Sequence, residues 1–226
     1  MRILILGAGG HGQVVADIVQ QMNRAGQAIS PVAYLDEDVQ LHQASYLDIP
    51  VLGDFEGVAT IPHEGIVIAI GDNKTRQRLF HKFVVGGETL ITAVHPAAII
   101  ASDVTVGAGS VVCAGVIINT GSQIGSNAIL NTGCRIDHHN QVGDHVHIAP
   151  GVITGGEVTI QAGALVGIGA TIMPRKMIGQ WAVIGAAALV QQNVPDHTTV
   201  IGVPARPFSN KTKPDNTDGP DLENLP

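Results

Sequence analysis

An aliphatic residue recurs at every sixth position between residues 94 and 190, without an insertion or a deletion. Sixteen of the seventeen positions are Val, Ile or Leu. The series is Val94, Ile100, Val106, Val112, Ile118, Ile124, Leu130, Ile136, Val142, Ile148, Thr154, Ile160, Val166, Ile172, Ile178, Ile184 and Val190. A helix has a period of about 3.6 and a strand a period of 2, so neither explains a repeat of six. A parallel β-helix does, because each hexapeptide supplies one short strand and one corner.

The hexapeptide pattern also predicts how the β-helix is filled. The aliphatic residue of each hexad points into a triangular prism, and the residue four positions later is mostly small or β-branched, as at Ala98 and Ser110. Three hexads complete a coil of about 18 residues, so we expect between five and six stacked coils. The low aromatic content, 3%, suits such a narrow coil better than a globular core.

The first 93 residues instead alternate between apolar strands and helical patterns. The predicted elements are strands over residues 2–7, 32–35, 65–70 and 89–93, a helix after the first strand, and a second helix from Asp72 or Asn73 to about Phe83. A fully apolar first strand is typical of a buried parallel sheet. The order of elements predicts a Rossmann-like α/β domain.

The segment GAGGHG joins the first strand to the first helix and places Gly7, Gly9 and Gly12 in the G-x-G-x-x-G pattern. Asp36 comes after the second strand, where an acid could meet a ribose. The region has room for only one of the two mononucleotide halves of a dinucleotide fold. We therefore expect the loop N–H groups to hold a mononucleotide or nucleotide-sugar rather than NAD. A tight turn that binds nothing remains the alternative.

Composition narrows the choice of partners. The formal net charge is −7, which gives no electrostatic reason to expect nucleic acid or a membrane as a partner. No apolar run reaches the length of a membrane span, Met1 begins a strand rather than a signal peptide, and Cys113 and Cys134 suit a reducing compartment. We expect a cytoplasmic protein.

Its expected parts are domains over residues 1–93 and 94–195, a closing segment over residues 196–207 and a disordered tail over residues 208–226.

Four histidines fall within ten residues: His138, His139, His145 and His147. None occupies an inward hexad position, so we expect all four to project outward or to lie at corners. Asp137 and Asp144 accompany them. A solvated face would more often carry Lys, Glu and Thr, so the cluster indicates a functional site.

Two chemistries compete for this cluster. A zinc site, as in the gamma-type carbonic anhydrases, is disfavoured because His138 and His139 are expected on opposite sides of the chain and His147 lies half a coil away. General-base catalysis fits better, because a neutral imidazole can take a proton when a carboxylate such as Asp137 or Asp144 fixes its tautomer. Cys134 is disfavoured as a nucleophile, since its position faces inward.

Several segments together resemble one family. GAGGHG, AIGDNKTR, VHPAAII, IDHHNQVGDHVHIAPG and IGVPARP are similar to the bacterial sugar O-/N-acyltransferases of the hexapeptide-repeat class. This family includes sialic acid O-acetyltransferases and N-acetyltransferases of nucleotide-linked 4-amino sugars. The resemblance implies a left-handed β-helix, a homotrimer and acetyl-coenzyme A between neighbouring subunits. Because the zinc site is disfavoured, we also expect no metal. The resemblance also implies that the N-terminal domain holds the nucleotide of the sugar.

The resemblance implies roles for individual residues. His138 matches the catalytic base, with Asp137 and His139 beside it, and His147 matches a histidine at the acetyl thioester. Gly156 matches a glycine whose N–H faces the thioester oxygen, and Gly167, Ile168 and Ala186 fall where the family binds the cofactor. The residues that match the nucleotide-sugar site are Gly9, Gly10, His11, Asp36, Glu37, Asn73 and Arg76. The family usually has an acid directly after the base, and this chain has His139, which leaves the partner of His138 open.

The sequence therefore predicts an acetyl-CoA-dependent N-acetyltransferase. Its expected acceptor is a 4-amino sugar on a nucleotide diphosphate, with UDP expected in preference to GDP, and His138 is the expected base in a direct transfer. Three alternatives remain: sugar O-acetylation of the sialic acid type, a zinc-dependent hydratase, and a β-helical scaffold that only binds a ligand.

Overall fold

The N-terminal region folds around a three-stranded parallel sheet. The computed structural model describes residues 1–208, so the tail expected over residues 208–226 lies almost entirely outside the described residues. In chain order the elements are β1 (Arg2–Leu6), α1 (Gly10–Arg24), β2 (Ser30–Leu35), a 3₁₀ helix (Val39–Leu41), β3 (Ser45–Tyr46), β4 (Ile49–Pro50), a second 3₁₀ helix (Phe55–Ala59), β5 (Gly65–Ile68) and α2 (Asn73–Val85). Strand β1 lies between β2 and β5.

This region differs from the sequence prediction at its C-terminal end. A strand was expected over residues 89–93, but only Leu90 bridges to the sheet, at Ile66. Ala93 instead pairs with Val111 and so already belongs to the β-helix. The β3–β4 hairpin was also missed, because its two-residue strands are too short to show a period of two in the sequence.

The six-residue repeat lines the inside of a parallel β-helix, and the predicted fold class is confirmed. From Val112 to Val190 every ladder position is at most 4% exposed, including Thr154 at 2%. The strands that end on these positions are β6 (Ala93–Val94), β7 (Ile99–Ile100), β8 (Thr105–Val106), β9 (Val111–Val112), β10 (Ile117–Ile118), β11 (Gln123–Ile124), β12 (Ile129–Leu130), β13 (Arg135–Ile136), β14 (Gln141–Val142), β15 (His147–Ile148), β16 (Ile153–Thr154), β17 (Thr159–Ile160), β18 (Leu165–Val166), β19 (Thr171–Ile172), β20 (Met177–Ile178), β21 (Val183–Ile184) and β22 (Leu189–Val190).

The strands of the β-helix stack into three parallel sheets, which are the faces of the prism. One sheet contains β13, the next contains β14 and the third contains β15, and each strand pairs with the strand of its own face one coil away. The third sheet is extended by β23 (Thr199–Ile201), which pairs with β21, and β24 (Arg206–Pro207) runs antiparallel to β23. Neither α-helix within residues 1–208 combines the length and apolar character needed to traverse a bilayer.

Two buried polar side chains of α2 join the N-terminal domain to the β-helix. Asn73 donates to the carbonyl oxygens of Gly163 (3.0 Å) and Ala164 (3.1 Å). Arg76 is 1% exposed, and all five of its N–H donors are used. Its acceptors are the carbonyl oxygens of Ile70, Gly71, Asn127 and His145 and the Oδ1 atom of Asn73.

This geometry corrects the roles that the resemblance implied for Asn73 and Arg76. Neither has a side-chain donor left for a nucleotide-sugar, because acceptors of the β-helix corners and of the N-terminal domain already take them. Burial lowers the pKa of Arg76 to about 10, which still leaves the guanidinium charged at neutral pH. The two residues fix how the domains dock.

Replacing Arg76 with Met is expected to lower the free energy of unfolding by about 3–5 kcal/mol, because several buried acceptors lose their donor at once. Urea unfolding measures the change. Arg78→Met is the matched control, since Arg78 is exposed on the same helix, and we expect it to cost less than about 0.5 kcal/mol. Equal losses in the free energy of unfolding for the two variants would contradict a role of Arg76 in docking the domains.

Candidate functional site

His138 and His139 form a contact pair at the corner between β13 and β14. Their Nδ1 atoms lie 3.1 Å apart, and the ring centroids are 5.3 Å apart. The two rings are therefore in contact, although their side chains were expected on opposite sides of the chain. The reason is that strand alternation does not apply at a corner, where His139 adopts a left-handed backbone conformation with φ of +57°. Both side chains are exposed.

Two glycines make room for these rings. A β-carbon at Gly156, on the following coil, would fall on the imidazole of His138. A β-carbon at Gly121, on the preceding coil, would lie 2.6 Å from Cδ2 and 2.8 Å from Nε2 of His139. The rings therefore lean in opposite directions along the prism while their Nδ1 atoms meet. Within residues 1–208 the N–H of Gly156 donates no hydrogen bond, so it is available beside His138.

The backbone of the corner is held from inside the prism by Asn140, which is fully buried. Its amide nitrogen donates to the carbonyl oxygens of Asp137 (2.7 Å), Gly155 (2.9 Å) and His138 (3.3 Å). One side chain thus ties the histidine corner to the coil that carries Gly156. Sequence reasoning overlooked this role, although a polar residue at an inward hexad position is a usable signal.

Asp137 does not orient the imidazole of His138, contrary to one of the expectations. Its Oδ1 atom accepts from the backbone N–H of His138 (2.9 Å) and from Nδ2 of Asn119 (3.0 Å). These hydrogen bonds, first that from Asn119, lower the pKa of the carboxyl. An aspartate directly before a residue reaches the backbone N–H of that residue more easily than its ring. Asp144, the other candidate partner, accepts from the N–H of Ser126 instead.

His147 lies on the third face of the prism, against the N-terminal domain. Its ring stacks on that of His11, with centroids 6.4 Å apart, and its Nδ1 atom is 3.4 Å from the carbonyl oxygen of Gly71. Burial is the largest cause that lowers the pKa of both histidines to about 4. Both imidazoles are therefore neutral at physiological pH.

His145 lies at a corner, as expected, but the N-terminal domain covers it. It is 5% exposed, and its ring packs edge-on to Phe80 and His81 of α2. Its Nδ1 atom is 2.8 Å from the amide nitrogen of Asn127. The histidine cluster of the sequence thus divides into an exposed corner pair, His138 and His139, and a covered pair at the domain interface.

The prism keeps His138 and His147 apart within one chain. His138 lies at the corner between the first and second faces, and His147 lies on the third face, opposite that corner. Gly167, Ile168 and Ala186 lie at the corners after this third face, where Ile168 is 62% exposed. Gly156 is the only residue of the expected cofactor set that lies beside His138 among the described residues.

The glycine loop leaves an open N-terminus on α1. A β-carbon at Gly12 would fall on the carbonyl oxygen of Gly7, so the helix can approach β1 this closely only without one. Gly9 and Gly10 are exposed, and α1 has no side-chain cap. The free N–H groups of this first turn can bind an anion.

The two acids after β2 differ in what they contact. The carboxylate of Asp36 accepts from the N–H groups of Ala8 (2.7 Å) and Asp38 (2.9 Å), so it shapes the glycine loop. Glu37, its neighbour, is exposed at the same end of the sheet.

Neither a metal site nor a cysteine nucleophile has support in the described part of the chain. No group of three His, Cys, Asp or Glu side chains within residues 1–208 is arranged to hold a metal ion. Cys134 is fully buried, and burial raises the pKa of its thiol to about 12. Such a thiol is not a nucleophile at neutral pH.

We expect the thermal stability to fall as the pH drops from about 6.5 to 4. His11 and His147 have a pKa of about 4 in the folded chain against 6.5 when unfolded, so the unfolded chain binds more protons in this window. The His147→Gln variant should lose less stability over this range than the wild type, by on the order of 2–3 kcal/mol. Melting temperatures between pH 4 and 8 check this. His197→Asn, at an exposed position, is the control, and a His147→Gln profile parallel to the wild type would be the contrary result.

Comparisons with known proteins agree with this architecture. A family profile described as the PglD N-terminal domain matches residues 2–83. A UDP-N-acetylbacillosamine N-acetyltransferase of Bacillus subtilis is 34% identical over 111 residues, which span 48% of this chain and 50% of that protein. The match thus covers about half the length of this curated relative.

Two solved structures are similar over nearly their whole length. Perosamine N-acetyltransferase from Caulobacter crescentus, in a complex with CoA and GDP-perosamine, is 33% identical with a TM-score of 0.85, over 93% of this chain and 98% of that one. The acetyltransferase domain of PglB from Neisseria gonorrhoeae is 30% identical with a TM-score of 0.84, over 92% and 99%. The chain therefore belongs to the bacterial sugar N-acetyltransferases, a family of hexapeptide-repeat acyltransferases.

Proposed function

We propose that this protein transfers the acetyl group of acetyl-CoA to the amino group of a nucleotide-linked 4-amino sugar. The observation that carries the proposal is the exposed imidazole of His138 beside the unused N–H of Gly156. A base and an oxyanion donor at one open corner are the two groups that acyl transfer from a thioester requires. Two similar proteins support the acceptor class: one was solved with GDP-perosamine, and the other is a UDP-N-acetylbacillosamine N-acetyltransferase.

The proposed reaction is a direct transfer. The sugar amine attacks the carbonyl carbon of the thioester, and Nε2 of His138 takes the proton that the amine loses. The negative charge of the tetrahedral intermediate develops on the carbonyl oxygen, next to the N–H of Gly156. When the carbon–sulfur bond breaks, the proton passes from His138 to the departing thiolate of coenzyme A. No acyl-enzyme forms, and no cysteine is required.

The site requires two subunits. His138 and His147 lie on opposite sides of one prism, so a ligand that meets both must lie between neighbouring copies. We propose a homotrimer in which the groove between subunits holds acetyl-CoA. One subunit supplies His138 and Gly156, and its neighbour supplies His147 with the exposed corners at Gly167, Ile168 and Ala186. The covered, neutral His147 suits contact with an uncharged thioester.

The N-terminal domain of the neighbour holds the nucleotide in this proposal. The open first turn of α1, at Gly9, Gly10 and His11, faces the diphosphate. Asp36 fixes the loop through Ala8, so the exposed Glu37 is the acid available to a ribose hydroxyl. UDP is the preferred nucleotide, with GDP as the alternative.

Coenzyme A release with a panel of UDP- and GDP-linked 4-amino sugars tests the proposed reaction. We expect turnover with an amino acceptor and none with the corresponding 4-hydroxy sugar. The His138→Ala variant should retain affinity for acetyl-CoA but lose about 10²–10⁴-fold in kcat, as expected when a general base is removed. Turnover by His138→Ala at the wild-type rate, or acetylation of the hydroxy sugars instead, would refute the mechanism or the acceptor.

Mixed trimers test whether the site is shared. We expect His138→Ala and His147→Ala each to be impaired as homotrimers. When the two variants assemble together at random, about one quarter of the interfaces combine an intact His138 with an intact His147 from the neighbour. Activity should therefore recover to about 25% of the wild type after co-expression. Absence of recovery in verified mixed trimers would place both histidines in one subunit's site.

A further inference from the structure

The contact between His138 and His139 constrains the protons on both rings. Their Nδ1 atoms, 3.1 Å apart, can hydrogen-bond only if one carries a proton and the other a lone pair. A base that accepts at Nε2 must carry its proton at Nδ1. His138 is then the donor, and His139 is the acceptor with its own proton at Nε2. The proposed acetyl transfer, on which this inference rests, thus requires one tautomer of His139.

The ring of His139, including its Nε2 atom, lies against the preceding coil. Nε2 lies 2.8 Å from where a β-carbon of Gly121 would stand, and the backbone N–H of His139 donates to the carbonyl oxygen of Thr120 (2.9 Å). The ring therefore rests on the corner formed by Thr120 and Gly121. The groups at this corner decide which tautomer of His139 is favoured.

A carboxylate is anchored at that same corner. The Oδ2 atom of Asp103, one coil earlier, accepts from Oγ1 of Thr120 (2.7 Å) and from the N–H of Gly121 (2.9 Å). These hydrogen bonds, first that of Thr120, lower the pKa of the Asp103 carboxyl, and the nearby imidazole of His139 lowers it further. Asp103 is therefore a fixed negative charge beside His139 throughout the neutral range.

The other charged groups around the pair are placed differently. The carboxylate of Asp137 caps the backbone N–H of His138. Glu157 and Arg175 occupy the same corner position as His139 on the next two coils. They therefore lie in the direction of Gly156, away from Gly121. Asp103 is the acid anchored at the corner against which the ring of His139 lies.

We propose that Asp103 is a positioning residue for His138 and acts through His139. Its carboxylate favours the Nε2–H tautomer of His139, directly or through one water, so that Nδ1 of His139 accepts from His138. It also stabilises the positive charge that the pair gains when His138 takes the proton of the amine. The acid that the family usually places directly after the base is thus replaced here by a histidine with a carboxylate behind it.

The Asp103→Asn variant tests this role, because the amide oxygen can still accept from Thr120 and Gly121 while the charge is removed. We expect kcat to fall on the order of 10-fold, with KM for both substrates unchanged. The acid limb of the pH profile of kcat should move to lower pH, since the protonated pair loses a neighbouring negative charge. Asp196→Asn is the matched control: Asp196 caps the N–H of Gln180 (2.8 Å) on a later coil, and its loss should change neither quantity.

The Asp103→Asn substitution made in a His139→Glu variant separates a positioning role of Asp103 from a merely structural one. His139→Glu restores an acid next to the base, and we expect Asp103→Asn to cost no further activity there. An undiminished cost in that background, or a fall in kcat without a shift of the acid limb, would overturn the proposal.

Nitrogen-15 NMR of the histidine rings reports which ring nitrogen carries the proton, and it does not depend on enzymatic turnover. We expect His139 to carry its proton at Nε2 in the wild type, and to lose that preference in Asp103→Asn. A proton at Nδ1 of His139 in the wild type would overturn the role of Asp103 even in an active enzyme. A wild type that is inactive with every amino sugar but has the expected tautomer would instead count against the proposed function alone.

Discussion

The hydrogen-bonded stacking of each coil on the next is the constraint on which the rest of the molecule depends. Because residues 18 positions apart pair in register, as Ile118 does with Ile136 and Ile136 with Thr154, side chains at the corners form columns along the prism. A corner residue therefore meets the residue one coil above or below it. This geometry sets His138 against Gly156 and His139 against Gly121. The site is built by the repeat rather than added to it, and glycine is needed where a ring crosses to another coil.

The second constraint is the docking of the N-terminal domain on one face of the prism. A buried arginine is costly unless all its donors are satisfied, and Arg76 meets that condition with backbone carbonyls from both domains. The docking covers His147 with His11 and keeps both neutral. It also holds the open end of α1 at a fixed place relative to the β-helix. Under the proposed function, binding of the nucleotide and positioning of the thioester depend on the same interface.

Sequence alone predicted the repeating part of the fold and the elements on either side of a local motif. The period of six predicted the β-helix and its buried ladder, and GAGGHG predicted the strand, turn and helix of the N-terminal domain. The sequence could not predict contacts between elements distant along the chain. The packing of α2 on His145 and the burial of Arg76 were therefore missed. The role of Asp103 was missed for a related reason: it lies two coils before His139, and only the stacking of corners brings it close.

In the proposed mechanism, the prism separates the base His138 from His147 at the thioester, so that catalysis occurs between subunits. The most direct measurement is a crystal structure of the protein with CoA and a nucleotide-linked 4-amino sugar. We expect a trimer in which the CoA sulfur lies beside His147 of one subunit, while the sugar amine lies within ~3.5 Å of Nε2 of His138 from its neighbour. A complex in which one subunit supplies both histidines, or in which His138 faces open solvent, would contradict it.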